Sequence, residues 1–280
     1  MRTLITLTLA GLIIFGLFIT GCERETGEVD LSLSFTEGQK LFWETNSRRT
    51  IKEFENDSLL GTYENKEASL ALEQVQAVYP DSSARIRRLA YYNIPSDKIS
   101  TIDESTPAAW TAEFIQTADG RIVDYFPSDT VDLQTVEYFK KMYEQMSPHY
   151  PGGTLPVGYN WSNTVRVKMP DGRITDAMTT YRIRSIVRVQ GYDCAVIESK
   201  GTIVLPFEKE YPAKNEKVVG LSTKDVEGTT CFAFDEGFIV RYDETYDSRT
   251  EGSRIIGDNQ TTFVVLENGN YSYSLVSAGM

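Results

Sequence analysis

The sequence predicts a mainly β protein: one large, curved antiparallel sheet, half-barrel or sandwich-like, with a single helix docked on it at about 131–147. Three observations predict this. Apolar residues recur with a period of two: Tyr181, Ile183, Ser185, Val187 and Val189 fall on one face of an extended segment. Arg182, Arg184, Arg188 and Gln190 fall on the other, with Ile186 the exception. Runs of this kind are separated by short Gly, Asp, Asn and Pro signals that make tight turns. One long segment carries the three- and four-residue steps of an amphipathic helix.

Composition narrows the class. The chain has 280 residues, a formal net charge of −12 and 41% hydrophobic residues. That is enough to bury a core. An aromatic content of 11% is too rich for disorder. The acidic balance opposes nucleic acid as a partner, since phosphates would repel it. His149 is the only histidine, which leaves no pair for a histidine-based zinc site and little for acid–base relays.

The first element is an address. Met1-Arg2-Thr3 precedes an apolar run from Leu4 to Ile19, shorter than the ~20 residues a spanning helix needs. Residues 1–21 read as a secretory signal. Ile19-Thr20-Gly21-Cys22 resembles the lipobox of bacterial lipoproteins. That resemblance implies a diacylglycerol on the Cys22 thiol, cleavage before it, and acylation of the new amine. Two or three acyl chains anchor stably where one is marginal, at ~0.8 kcal/mol per buried CH₂. The membrane would then be a partner through those chains. Glu23 stands where aspartate signals inner-membrane retention in such lipoproteins, which favours the outer membrane, face unknown. Residues 22–30 read as a lipidated tether reaching at most ~30 Å.

Residues 31–280 read as one β-rich domain. Ser69–Tyr79 and Ala84–Tyr92 flank Pro80-Asp81-Ser82-Ser83 as a hairpin, although the Ala, Leu and Glu content of Leu70–Tyr79 also suits a helix. Trp110–Thr117 and Arg121–Phe126 flank Ala118-Asp119-Gly120. Next comes the helix, Val131 to Ser147, with Val136, Phe139, Tyr143 and Met146 on one face. Asp129 or Thr130 caps it, Asp132 suits its positive end, and Pro148 stops it. Pro148–Gly158 is either a boundary between halves 31–147 and 148–280 or a loop returning to the sheet. Val165–Met169 turns at Pro170-Asp171-Gly172 into the strand from Arg173. Asp-Gly-Arg-Ile recurs at Asp119 and Asp171, which suits two similar turns, with a duplicated half-domain as the alternative. Glu208–Glu227, charged and mixed, reads as a long surface connection with a short helix or strand within it. Phe263–Leu266 and Tyr271–Val276 flank Asn268-Gly269, a strong hairpin signal.

The search for chemistry returns few candidates. The sequence has no nucleophile elbow and no phosphate-cradling glycine loop, so no catalytic residue and no cofactor is assigned. Cys194 and Cys231 either form a disulfide, as an even count in an exported protein suggests, or stay as separate buried thiols; spacing leaves both open. Asp243-Glu244-Thr245-Tyr246-Asp247 is acidic but lacks the ligand ladder of a calcium loop, so no metal site is assigned. Trp43, Trp110, Phe114 and Trp161 are either ligand-lining or core residues, with Phe35, Leu41 and Phe42 beside them.

Two weaker resemblances follow from these residues. Pro156-Val157-Gly158-Tyr159-Asn160-Trp161 resembles the Pro-x-x-x-Gly-x-x-Trp pattern of an uncharacterised family of exported bacterial β-proteins. A lipidated chain with a large sheet and few helices looks like the lipoprotein-carrier half-barrels, which implies a hollow that holds acyl chains. The expected function is therefore a lipid-anchored envelope protein that binds an apolar or amphipathic ligand without catalysis. A structural or protein-interaction lipoprotein of the envelope is the alternative, and a carboxylate-dependent hydrolase ranks third. The anchor has a direct check. Radiolabelled palmitate should enter the wild type and be absent from Cys22→Ala, and equal labelling of both would contradict lipidation.

Overall fold

A computed structural model describes residues 23–92, 102, 106–127, 133–169, 172–211 and 214–279. Cys22 and the lipobox lie outside them, as do the expected caps Asp129, Thr130 and Asp132. Two meanders build the fold. The first runs β2 (Lys40–Glu55), β3 (Ser58–Val78), β4 (Ala84–Tyr92), β5 (Trp110–Gln116) and β6 (Ile122–Pro127). The second runs β8 (Asn160–Lys168), β9 (Ile174–Val189), β10 (Tyr192–Tyr211), β11 (Glu216–Ala233), β12 (Phe238–Ile256) and β13 (Asn259–Gly279). β13 pairs with β2, so both meanders form one 11-stranded antiparallel sheet in the order β6-β5-β4-β3-β2-β13-β12-β11-β10-β9-β8. The expected fold class therefore stands. β1 (Glu28–Asp30) and β7 (Thr154–Pro156) form a separate pair.

Cross-strand pairs explain the core. Trp43 faces Ala71, Glu73 faces Arg88, Val75 faces Ile86, and Ile86 faces Phe114. On the other side of β2, Thr45 faces Tyr273, which faces Tyr242. Residues directly opposite share a face, so these pairs stack one layer of apolar and aromatic groups.

Helix α1 (Leu133–Met146) closes the space between the sheet's two ends. It touches β6 at one edge and β8, β9 and β10 near the other. Tyr143 packs against the Val75, Ile86, Phe114 and Tyr125 cluster, and Met142 against Ile203, Leu205 and Val226. The side chains of Val136 and Phe139 fall outside the described residues. The helix end leaves carbonyls without helical partners. Asn163 Nδ2 donates to Glu144 O and Ser147 O, and Trp161 Nε1 donates to Pro148 O at 2.8 Å.

Gln145 ties this helix to a strand edge. Pairing of β9 with β10 ends at Thr179 and Gly201. Beyond that point Gln145 takes the place of a strand at Val204. Its Nε2 donates to Val204 O at 2.8 Å, and Val204 N–H donates to its Oε1 at 2.7 Å. Two residues on, Pro206 has no N–H to offer, which blunts the remaining edge against another chain.

Several expectations need correction. The residues 24–30 are no free tether: Arg24 bridges to Ile186 and β1 pairs with β7. The alternation through 181–189 is broken by a bulge in the β9–β10 register, where Val196 faces Ser185 but Ile197 faces Ile183. Arg184 is the extra residue, so Ile186 joins the face of Ile183, and Ser185 and Val187 pass to the other. Glu208–Glu227 is no surface connection. It is the tip of the β10–β11 hairpin, and its charges form cross-strand ion pairs such as Lys217 with Glu208 at 2.5 Å. Asn268-Gly269 is not a turn. β13 runs straight through it, and the turn lies at Gly257, where φ is +58°. Gly269 instead faces Tyr246, and a Cβ there would lie 2.9 Å from the Tyr246 hydroxyl and 2.6 Å from Arg48 O. The glycine serves close packing under a tyrosine ring, which a turn signal alone does not distinguish.

Other expectations hold. Leu70–Val78 is strand, and Asp119-Gly120 and Gly172 sit in hairpin turns. Pro148–Gly158 is a loop that includes β7, and the sheet runs continuously through both proposed halves. Gln145→Ala should lower the free energy of unfolding by about 2–3 kcal/mol, because it strands a buried N–H and a buried C=O. Urea denaturation at unchanged slope reads the shift, and a change below about 0.5 kcal/mol would contradict the role given to this side chain.

Candidate functional site

A hollow of about 250 Å³ lies between α1 and the sheet. β2 supplies Leu41, Trp43 and Thr45, and β3 supplies Ala71, Glu73 and Val75. Ile86 and Arg88 come from β4, Tyr271 and Tyr273 from β13, and Tyr143 and Met146 from the helix. Each strand contributes alternate residues, because only one side of a pleated strand faces the helix.

The wall is largely apolar and aromatic, and two of its polar features stand out. Arg88 and Glu73 face each other across β3 and β4 and form an ion pair, with Arg88 Nε donating to Glu73 Oε1 at 2.7 Å. The Arg88 guanidinium also lies 5.4 Å from the centre of the Phe114 ring. Burial acts to lower the pKa of Arg88, and the Glu73 charge and hydrogen bond more than offset it, so the guanidinium stays charged. The second feature is Trp43. It is 5% exposed, sits edge-on to Tyr273 at 5.1 Å, and its indole N–H meets no acceptor among the described residues. A buried donor of this kind costs free energy until something accepts from it.

The same side of the sheet also carries a polar network. Lys224 pairs with Glu244 at 2.5 Å, and Tyr242 donates to Glu244 at 2.6 Å. Tyr246 donates to Glu267, which Arg49 approaches at 3.8 Å. Every interior carboxylate named here is matched by a cation or a phenol. A wider groove of about 1340 Å³ crosses the strands at mid-height. Ion pairs line it, among them Lys200 with Glu227 and Arg241 with Asp243, both at 2.6 Å. It is open, and the hollow beneath the helix is the smaller and more enclosed space.

The sequence candidates separate into groups. Trp43, Phe35 and Leu41 line the hollow. Phe114 is core, 2% exposed, and Trp110 packs against the same cluster. Trp161 stacks on Tyr181 at 5.1 Å and serves the helix end. Phe42 packs with Leu70, Leu72 and Tyr91. Cys194 and Cys231 are both free thiols on the neighbouring strands β10 and β11; Cys194 faces Ala233 and Val196 faces Cys231, so the thiols are diagonal and unbonded. The Asp243–Asp247 run alternates sides along β12, and no cluster of three or more metal-ligating groups occurs among the described residues. His149 sits at φ +45°, and burial with Arg121 nearby lowers its pKa.

Arg88, Glu73, Tyr271 and Tyr273 did not emerge from the sequence as site residues. A signal existed: Glu73 lies between Ala71 and Val75, and Arg88 between Ile86 and Ala90, each a charge in an apolar period-two slot.

No protein-family model and no curated protein matches the chain. Among solved structures, the outer membrane protein OprG from Pseudomonas aeruginosa aligns at 9% identity over 86% of this chain and 97% of that one, with a TM-score of 0.21. A score that low carries no argument about fold or function. Pro156 and Gly158 are separated by one residue where the exported-family pattern has three, so that resemblance rests on Gly158-x-x-Trp161 alone.

Burial of acidic groups makes a pH prediction. Burial, with Cys231 adjacent, pushes the Cys194 thiol up to about 12. Burial and Asp243 push Cys231 to about 11, and burial with Tyr143 pushes Tyr125 to about 12. Burial also raises Tyr242 and Tyr273. The folded chain holds these protons where the unfolded chain releases them. Stability should therefore be level up to about pH 8.5, the ordinary thiol pKa, and fall as pH rises toward 11. Urea midpoints across that range check it, and a level response to pH 10.5 would contradict the burial of these groups.

Proposed function

We propose that this chain is a lipid-anchored protein of the cell envelope, held at the outer membrane by acyl chains on Cys22, that binds an apolar or amphipathic ligand beneath α1 without catalysis. The observation that carries the binding reading is the hollow: apolar walls, a polar pair already satisfied, and one buried donor without an acceptor. Its 250 Å³ falls just under the ~300–1,000 Å³ of ordinary ligand sites. One chain or one small ring system suits it, and a diacyl lipid does not. The anchor fits this geometry, since Arg24 is tied to β9 only two residues from Cys22 and the body would stand close to its membrane. Acyl chains must supply the attachment, because a net charge of −12 opposes anionic headgroups.

The hydrolase reading ranks last for a physical reason. A carboxylate pair needs one acid free to give a proton, whereas Glu73, Glu244 and Glu267 are each held by a cation or a phenol. An interaction protein remains the second reading, supported by Leu59, Leu60 and Tyr63 at the β2–β3 hairpin, which are 57%, 60% and 51% exposed. Solvent extraction of purified Cys22→Ala protein, followed by mass spectrometry, separates the two. A single-chain lipid in near-equal amount to protein is expected. No apolar molecule above the level carried by an unrelated control would contradict ligand binding.

A further inference from the structure

We infer that the hollow beneath α1 selects an apolar chain ending in an uncharged hydrogen-bond acceptor, an ester, amide or ketone carbonyl, whose oxygen accepts the Trp43 indole N–H. The inference rests on the binding reading and narrows it to a ligand class. Three observations carry it.

The charged groups of the wall, Arg88 and Glu73, are matched to each other. Arg88 is matched by Glu73 through Nε at 2.7 Å and by the face of Phe114 at 5.4 Å. The pair brings no net charge to the wall. A ligand carboxylate would therefore enter as an uncompensated charge in an apolar space, which costs more than the hydrogen bond returns. Glu73 likewise leaves no reason for the site to favour a cation.

Trp43 supplies the buried side-chain donor of the lining that has no partner among the described residues. It lines the hollow, is 5% exposed, and its N–H has no acceptor among the described residues. An indole donates and cannot accept. The missing partner must therefore be an acceptor, and a neutral one satisfies the donor without importing charge. The Trp43 ring is fixed by its edge contact with Tyr273 at 5.1 Å and by its place opposite Ala71, so the donor is positioned before any ligand arrives.

The remaining wall is made for hydrocarbon. Leu41, Val75, Ile86, Met146 and Phe238 line the rest of the hollow. Its 250 Å³ limits the occupant to one chain.

Calorimetric titration of full-length Cys22→Ala protein with methyl decanoate, decanoate and decane tests this. Methyl decanoate should bind about tenfold more tightly than decane, the worth of one added hydrogen bond of about 1.4 kcal/mol. Decanoate should bind more weakly than its ester. Trp43→Phe should reduce methyl decanoate to the affinity of decane and leave decane unchanged. Equal binding of ester and decane by the wild type, or tighter binding of the carboxylate, overturns the inference and leaves the hollow as an unselective apolar site. Failure of all three probes to bind overturns the binding reading itself. A measurement on the wild-type ring avoids dependence on the variant's folding. The Trp43 indole N–H resonance should move downfield with methyl decanoate and stay in place with decane, and equal movement with both overturns the assignment.

Discussion

The pairing of β13 with β2 is the contact on which the rest of the structure depends. It runs from Phe263 opposite Glu55 to Gly279 opposite Lys40 and joins the last strand of the chain to the first long one. Without it the two meanders are separate small sheets, each with two open edges. With it, Thr45, Tyr273 and Tyr242 become one continuous aromatic and polar row across three strands. Thr45 and Tyr273 of that row form part of the floor of the hollow. The contact spans most of the chain, so the entropy of closing a very long loop must be met before the floor exists.

The helix completes what the strand pairing begins. α1 links the free ends of the sheet by touching β6 on one side and β8–β10 on the other. Its fit depends on polar side chains used as backbone substitutes: Gln145 behaves as a strand at Val204, and Asn163 and Trp161 take up the carbonyls at the helix end. Held by these bonds, the helix covers the floor without filling it. A cavity of this size in an otherwise close-packed protein costs stability, since its walls lose contacts on one side. A chain that binds there recovers them.

The sequence was most legible where one side of a strand is buried and the other is wet. Alternation marked β9 correctly until Arg184, where one inserted residue exchanged the faces and buried both. Charge misled at 208–227, because cross-strand ion pairs such as Lys217 with Glu208 look in one dimension like an irregular surface loop. Gly269 misled for a different reason. A glycine that makes room for the Tyr246 ring and a glycine that makes a turn look alike until the partner strand is known. Trp43 was legible as an aromatic of the hollow or core. Arg88 and Glu73 were not recognised, because their meaning lies in facing each other, and that depends on the β3–β4 register rather than on either segment alone.

The central claim is that the space under α1 is a binding site for one apolar chain and not an imperfection of packing. A crystal structure of the Cys22→Ala protein grown with methyl decanoate tests it most directly. The account predicts one extended chain between Tyr143 and the Trp43–Tyr273 floor, with its carbonyl oxygen about 2.7–3.2 Å from Trp43 Nε1. Side chains closed across an unoccupied space, or a probe bound elsewhere on the molecule, would contradict it.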